Sequence, residues 1–190
     1  MKSEKFNKEI EYIKNPNYKD SVKLILNKLP DYFYEVPASS TGKYHPEFTL
    51  GDGGLVRHTK AAVRIAVELL NNPALNNFND NEKDLIIISL MIHDGLKSGF
   101  EKSEYTKFEH PLLISQFVLD NKVDFKLSDT DAKMISNMVS SHMGPWNTNS
   151  YSDVELPKPV DKYQRFVHMC DYLASRKFLN IKFNLNDDIE

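Results

Sequence analysis

The sequence of 190 residues contains a single cysteine, Cys170, so no disulfide can form within the chain. One unpaired cysteine is typical of a reducing compartment, and we expect Cys170 to be a small buried apolar residue. No apolar run approaches the roughly 20 residues that a membrane-spanning helix needs. The opening stretch, MKSEKFNKEIEYIKN, also lacks the apolar core of a signal peptide. We therefore expect a cytoplasmic protein with no membrane partner.

A surplus of positive charge is missing too, since 24 Lys and Arg face 27 Asp and Glu and the net charge is -3. Proteins that coat nucleic acids normally carry a basic surplus, so no long nucleic acid is expected as a partner. No segment shows the alternation of apolar and polar residues that is typical of a half-buried strand. A β-rich fold is therefore not predicted.

What the sequence does contain is helical periodicity. The pattern predicts helices over residues 4–14, 18–29, 54–71, 81–94, 110–121, 129–143 and 160–179. Asn79 or Asp80 should cap the fourth of these, and Ser128 or Asp129 the sixth. We predict an all-α fold, a single helical bundle over residues 1–190, with an N-terminal helical extension at 1–40 and a frayed tail at 181–190.

Two long connections separate the predicted helices, at residues 30–53 and 144–159. The first ends in GDGG, and the second holds the only tryptophan, Trp146. Long loops in compact domains are often functional, and the alternative is a tolerated surface loop. The sequence leaves both interpretations open.

Six residues of metal-binding types fall on or beside the inward faces of five predicted helices. Any one buried histidine is more often an ordinary core residue, and Asp171 alone has the alternative of an ion pair with Arg165 or Arg176. Burying two unpaired carboxylates costs several kcal/mol or more, however, and a divalent cation offsets that cost. The joint pattern therefore predicts a metal site formed by His58, His93, Asp94, His110, His142 and Asp171.

The order of these residues resembles that of the HD-domain superfamily of metal-dependent phosphohydrolases. GGLVRHTKAAV is similar to the helix of the first ligand, HDGLK to the signature, and CDYLASR to the closing helix. FEHP and SSHMGPW match the extra histidines of members that hold two metals. The resemblance covers about residues 44–176. It implies one metal at His58, His93, Asp94 and Asp171, with Asp94 bridging to a second metal held by His110 and His142.

The resemblance also implies an activity and a cofactor. We expect a nucleotidase or phosphodiesterase that hydrolyses a small nucleotide-type phosphoester through a metal-activated water. Imidazole and carboxylate ligands suit Mn, Fe, Co, Ni or Zn, with two divalent ions per chain. Two alternatives stay open: a mixed-valent di-iron oxygenase with the same ligand order, and a non-catalytic metal-binding sensor module. No oligomeric state is predicted.

Residues around the ligands supply the expected substrate contacts. Lys97 matches the trailing lysine of the signature, so we expect it to act with Asp94 in catalysis by contacting water or a phosphate oxygen. Trp146 is expected to stack a base, with packing as the alternative. His168 is expected beside the site or at the surface. The full set of expected substrate contacts is Arg57, Lys97, Trp146, Arg176 and His45.

Overall fold

The computed structural model describes residues 1–39, 41–42 and 45–190, and these residues form seven α-helices and no β-strand, as predicted. Three short 3-10 helices, Lys2–Phe6, Asp31–Tyr34 and Glu47–Thr49, accompany them. Across the described residues, no helix has both the length and the apolar character needed to cross a membrane. The α-helices are α1 (Asn7–Glu11), α2 (Pro16–Lys28), α3 (Gly54–Asn71), α4 (Asp80–Ile92), α5 (His110–Asp120), α6 (Asp129–Ser140) and α7 (Lys162–Ala174).

Helix α4 lies at the centre of the bundle. Its residues 84–92 are all buried, because α2, α3, α6 and α7 pack around it. This position explains why the sequence of residues 85–92, LIIISLMI, is apolar except for Ser89, since a helix that is apolar on all sides must be enclosed. A capping box between Asn79 and Glu82 begins the helix, as the sequence indicated. Its C-terminal end therefore points into the middle of the molecule.

Several helices stop earlier than the periodicity predicts, and two of these early ends place ligand histidines. Helix α4 ends at Ile92 and α6 at Ser140, so His93 and His142 lie in the turns that follow. In both turns the imidazole Nδ1 lies 2.7 Å from the carbonyl oxygen three residues back, that of Leu90 or Val139. The ring thus occupies an acceptor that a continuing helix would offer to a backbone N–H. Because the imidazole takes the place of the backbone N–H at this carbonyl, each ring points into the bundle.

The N-terminal segment belongs to the same core as the rest of the bundle. The Phe6 ring lies 6.1 Å from the Phe33 ring, and both side chains are fully buried. The buried carboxylate of Asp84 in α4 accepts the backbone N–H groups of Lys14 and Asn15 at 2.9 and 2.8 Å. The described residues of the predicted extension, 1–39, therefore pack as part of the bundle.

The long connection before α3 is held by a very close backbone contact. A Cβ atom at Gly54 would lie only 2.0 Å from the carbonyl oxygen of Thr49, so the second glycine of the GG pair cannot carry a side chain. Residues 40, 43 and 44, which belong to this connection, lie outside the described residues. Residue 44 is also the start of the region that carries the family resemblance.

The C-terminal tail is docked rather than frayed, which differs from the sequence expectation. Arg57 Nη1 lies 2.6 Å from Asp187 Oδ1, and the fully buried ammonium of Lys60 lies 2.9 Å from Asp188 Oδ1. Glu9 contributes a second carboxylate, 3.9 Å from the same ammonium. The two ion pairs with the tail join residues more than 100 positions apart, so no local pattern in the sequence indicates them.

We predict that Asp188→Ala lowers the free energy of unfolding by ~3 kcal/mol, because it removes the nearest partner of a buried ammonium. Urea denaturation of the metal-free protein measures the change. Asp124→Ala is the matched control, since it breaks an exposed pair with Lys28 and should have little effect. Equal stability of the two variants would contradict the docked tail.

Candidate metal centre

Three of the expected ligands meet where α3, α7 and the end of α4 converge. His58 Nε2 lies 3.0 Å from Asp171 Oδ1, and His93 Nε2 lies 3.4 Å from the same oxygen. His58 and His93 are buried, and Asp171 is mostly so. The ligand atoms of all three lie within 4.8 Å of one another, which is close enough for one metal ion.

The other three expected ligands form a second group beside the first. His110 Nε2 lies 3.1 Å from Asp94 Oδ1, and His142 Nε2 lies 3.6 Å from it. His110 is the first residue of α5, and its Nδ1 lies 2.7 Å from the carbonyl oxygen of Lys107. All three ligands are buried, and their ligand atoms also lie within 4.8 Å of one another.

Asp94 connects the two groups. Its Oδ1 faces His110 and His142, whereas its Oδ2 lies 3.5 Å from His93 Nε2 and 3.9 Å from His58 Nε2. A single carboxylate therefore presents one oxygen to each group. This is the arrangement that a bridging ligand between two cations requires.

The backbone determines which ring nitrogens are available to a cation. A carbonyl oxygen can only accept, so Nδ1 of His93, His110 and His142 must carry the hydrogen that it donates. In the neutral rings each Nε2 then presents a lone pair. The Nε2 atoms of His110 and His142 are 3.1 Å apart, so two lone pairs face each other unless a cation lies between them.

Two ring nitrogens of the first group, His58 Nδ1 and His93 Nε2, are also left without a hydrogen-bond partner among the described residues. His93 Nε2 is buried and, among the described residues, has no partner of good geometry, although carboxylate oxygens surround it. The negative charge around this nitrogen requires a positive charge on it, which a proton supplies in the metal-free protein and a metal cation can supply in its place. The donor sets of both groups thus fit divalent metal ions.

The ionisable side chains of the site shift one another's pKa values strongly. Burial alone would lower the pKa of His93, but the carboxylates of Asp94 and Asp171 raise it to about 9. Burial opposes ionisation of Asp94, yet Lys97 and His93 hold its pKa well below the usual range. The pKa of Asp171 is lowered in the same way, against burial, by His93 and His58. Both carboxylates are therefore ionised at neutral pH.

His110 behaves differently from His93. Burial lowers its pKa below the ordinary value, despite the nearby carboxylate of Asp94. The ring is therefore neutral at neutral pH, which is the state that binds a metal.

Both groups open into one cavity of about 690 Å³. Four of the five expected substrate contacts line it, since His45, Lys97, Trp146 and Arg176 all face the cavity. Lys97 Nζ lies 2.6 Å from Asp94 Oδ2, so this ammonium already contacts the shared carboxylate.

Arg57 is not one of the residues that line this cavity. Its guanidinium donates to the backbone carbonyl oxygens of Leu50 and Asp52 and pairs with Asp187 in the tail. We expected a phosphate contact from Arg57, but this placement gives the side chain a structural role instead. We therefore leave Arg57 out of the proposed substrate site.

Two aromatic residues that line the cavity, His168 and Tyr172, were not among the expected substrate contacts. The Tyr172 ring stacks on Trp146 with centroids 5.6 Å apart and planes 16° apart, and the guanidinium carbon of Arg176 lies 4.3 Å from the centroid of the Tyr172 ring. His168 Nδ1 lies 2.6 Å from the carbonyl oxygen of His142. The four-residue spacing from 168 to 172 is the signal that places these two side chains on one face of α7, and Arg176 follows just beyond the end of that helix.

The fold and the two ligand groups define a helical metal-binding domain. A family model described as HD domain matches residues 55–176, which is more than half of the chain. The chain therefore belongs to the HD-domain superfamily, whose members are typically metal-dependent phosphohydrolases. No curated protein and no solved structure matches the chain.

We predict that Asp94→Ala abolishes binding of both metals, because each group loses the same shared carboxylate. His142→Ala should lose mainly the second metal, since the group of His58, His93 and Asp171 remains complete. Elemental analysis of the purified variants gives the stoichiometry. Full metal content in the Asp94 variant would refute the assignment of the ligands.

We further predict that metal affinity rises with pH up to about 9. In the metal-free protein the His93 pKa is about 9, so below that pH a metal must displace the proton of this ring. Loss of one proton gives a slope of about tenfold in affinity per pH unit. Titration calorimetry at pH 7.5 in buffers of different ionisation enthalpy measures the protons released. Binding without proton release would contradict the prediction.

Proposed function

We propose that this protein hydrolyses a phosphoester bond in a small, nucleotide-type substrate. The observation that carries the proposal is that two metal-ligand groups, two cationic side chains and an aromatic stack share a single cavity. The metal-ligand groups suit the reacting phosphate of a nucleotide, the cationic side chains suit the negative charge of that phosphate, and the aromatic stack suits the planar base. Family membership supports hydrolysis, and the cavity supports the substrate class.

The size of the cavity agrees with a small substrate. Ligand sites for small molecules usually measure about 300–1,000 Å³, and this one measures about 690 Å³. A nucleotide or a short oligonucleotide fits that range. The balanced charge of the chain gives no support to a long nucleic acid as the substrate.

The ligand chemistry indicates the kind of metal. Four imidazoles and two carboxylates favour Mn, Fe, Co, Ni or Zn over Mg, which prefers oxygen ligands. We propose that His58, His93 and Asp171 hold one ion and His110 and His142 the other, with Asp94 shared. When bound, such ions acidify water and neutralise charge on a phosphoryl group.

Asp94 and Lys97 are the proposed catalytic residues. Asp94 Oδ2 is ionised and accepts a hydrogen bond, and Lys97 Nζ lies 2.6 Å from it with further hydrogens to donate. We propose that Asp94 orients the attacking water while Lys97 donates to a phosphoryl oxygen. Fixed charges of this kind stabilise the charge that develops as the bond breaks.

The residues that line the cavity around the ligands are proposed to bind the rest of the substrate. Among the described residues that line the cavity, Lys97 and Arg176 are the two with permanent positive charge. Arg176 is held over the Tyr172 ring and is available to a phosphate. Trp146 is about half exposed, so its outer face is open for a base to stack on.

We predict turnover of one class in a panel of nucleotides, cyclic nucleotides, cyclic dinucleotides and short oligonucleotides. The panel also includes bis(p-nitrophenyl) phosphate, which has no base. The protein is stripped of metal and reloaded with Mn²⁺ or Fe²⁺, and Asp94→Ala is the control. Activity should vanish in the control, because the shared ligand is lost.

Each alternative has its own outcome in this experiment. No turnover, with two irons bound and oxygen consumed, would favour the mixed-valent di-iron oxygenase. No turnover and no enzymatic change of any kind, with metal bound, would favour a sensor module. Equal rates for the base-free ester and the best nucleotide would contradict the proposed base contact.

A further inference from the structure

The Tyr32 side chain lies directly beneath the turn that follows α4. Tyr32 is in the 3-10 helix Asp31–Tyr34 and is only 5% exposed. Its hydroxyl donates to the carbonyl oxygen of Gly99 at 2.6 Å and accepts from the N–H of Ser98 at 3.1 Å. The hydroxyl therefore uses both its donor and an acceptor position on this one turn.

A second contact joins the same segment to the same turn. A Cβ atom at Gly95 would lie 2.8 Å from Leu29 Cδ2, so the backbone after Asp94 presses against the Leu29 side chain. Leu29 itself is fully buried. The N-terminal segment thus contacts the turn on both sides of Lys97, at Gly95 through packing and at Ser98 through a hydrogen bond.

The turn carries the proposed catalytic pair. The backbone N–H of Lys97 donates to the carbonyl oxygen of Asp94 at 3.0 Å, and the two side chains form an ion pair at 2.6 Å. Tyr32 does not line the cavity, and its hydrogen bonds reach the site through this turn. We infer that Tyr32 is a positioning residue that holds Lys97 for the reaction. The inference rests on the proposed function, because that function assigns Lys97 its role.

The chemistry of the hydroxyl suits this role. Burial raises the pKa of Tyr32 to about 12, so the hydroxyl keeps its proton and donates to Gly99 at any physiological pH. Phenylalanine would keep the ring and its packing and would remove both hydrogen bonds. Tyr32→Phe is therefore a specific test of the two bonds.

Tyr34 offers a matched control in the same 3-10 helix. It is 8% exposed, and its hydroxyl donates to the carbonyl oxygen of Leu26 at 2.6 Å, away from the turn. Tyr34→Phe removes one buried hydroxyl without touching the turn that carries Lys97. Any general cost of losing a buried hydroxyl should appear in both variants.

We expect Tyr32→Phe to lower kcat about tenfold to a hundredfold, since a displacement on the scale of 1 Å at a catalytic group has such an effect. The metal content and KM of Tyr32→Phe should stay within twofold of the wild-type values, and Tyr34→Phe should keep the wild-type kcat. In a Lys97→Met background, Tyr32→Phe should cause no further loss of kcat, because the residue acts through Lys97. An equal loss of kcat with and without Lys97, or in Tyr34→Phe, would overturn the inference.

A second measurement does not depend on activity. Hydrogen exchange of the Ser98 amide should be at least tenfold faster in Tyr32→Phe than in Tyr34→Phe, because the amide loses its acceptor. If the wild-type protein hydrolyses nothing, the proposed function fails and the inferred role of Tyr32 in catalysis fails with it. If the protein is active and Ser98 exchange is unchanged, the positioning inference alone is overturned.

Discussion

The carboxylate of Asp94 is the group on which the whole site depends. It is buried, ionised and shared, with one oxygen toward each group of histidines and the ammonium of Lys97 beside it. A carboxylate in such a position is costly unless cations surround it. The surrounding helices bring the ammonium of Lys97 and the histidines that could bind metal cations to this one carboxylate.

The fold achieves this by ending helices at the site. His93 and Asp94 follow α4, His142 follows α6 and His110 begins α5, so four of the six ligands lie at helix ends. Backbone carbonyls at these ends accept from the Nδ1 atoms of the histidine rings, which leaves Nε2 directed at the cavity. The carbonyl acceptors hold the rings through Nδ1, and the same contacts therefore leave Nε2 as the nitrogen that can bind a metal.

Both ends of the chain contribute to the stability of this arrangement. The N-terminal segment packs beneath the turn that carries Lys97, through Leu29 and Tyr32. The C-terminal tail pairs with Arg57 and Lys60, which lie on either side of His58 in α3. Residues outside the matched family region therefore support the elements that hold the ligands.

The sequence alone determined the helical class, most helix starts and the identity of the six candidate ligands. Those features are local or periodic: caps, apolar spacing and short motifs are legible along the chain. The tertiary structure decided which further residues share a cavity with the ligands, and that Arg57 faces the tail. These outcomes depend on contacts between residues such as Arg57 and Asp187 or Tyr32 and Ser98, far apart in sequence. The periodicity of the sequence does not predict such contacts, because the two partners come together only when the chain folds.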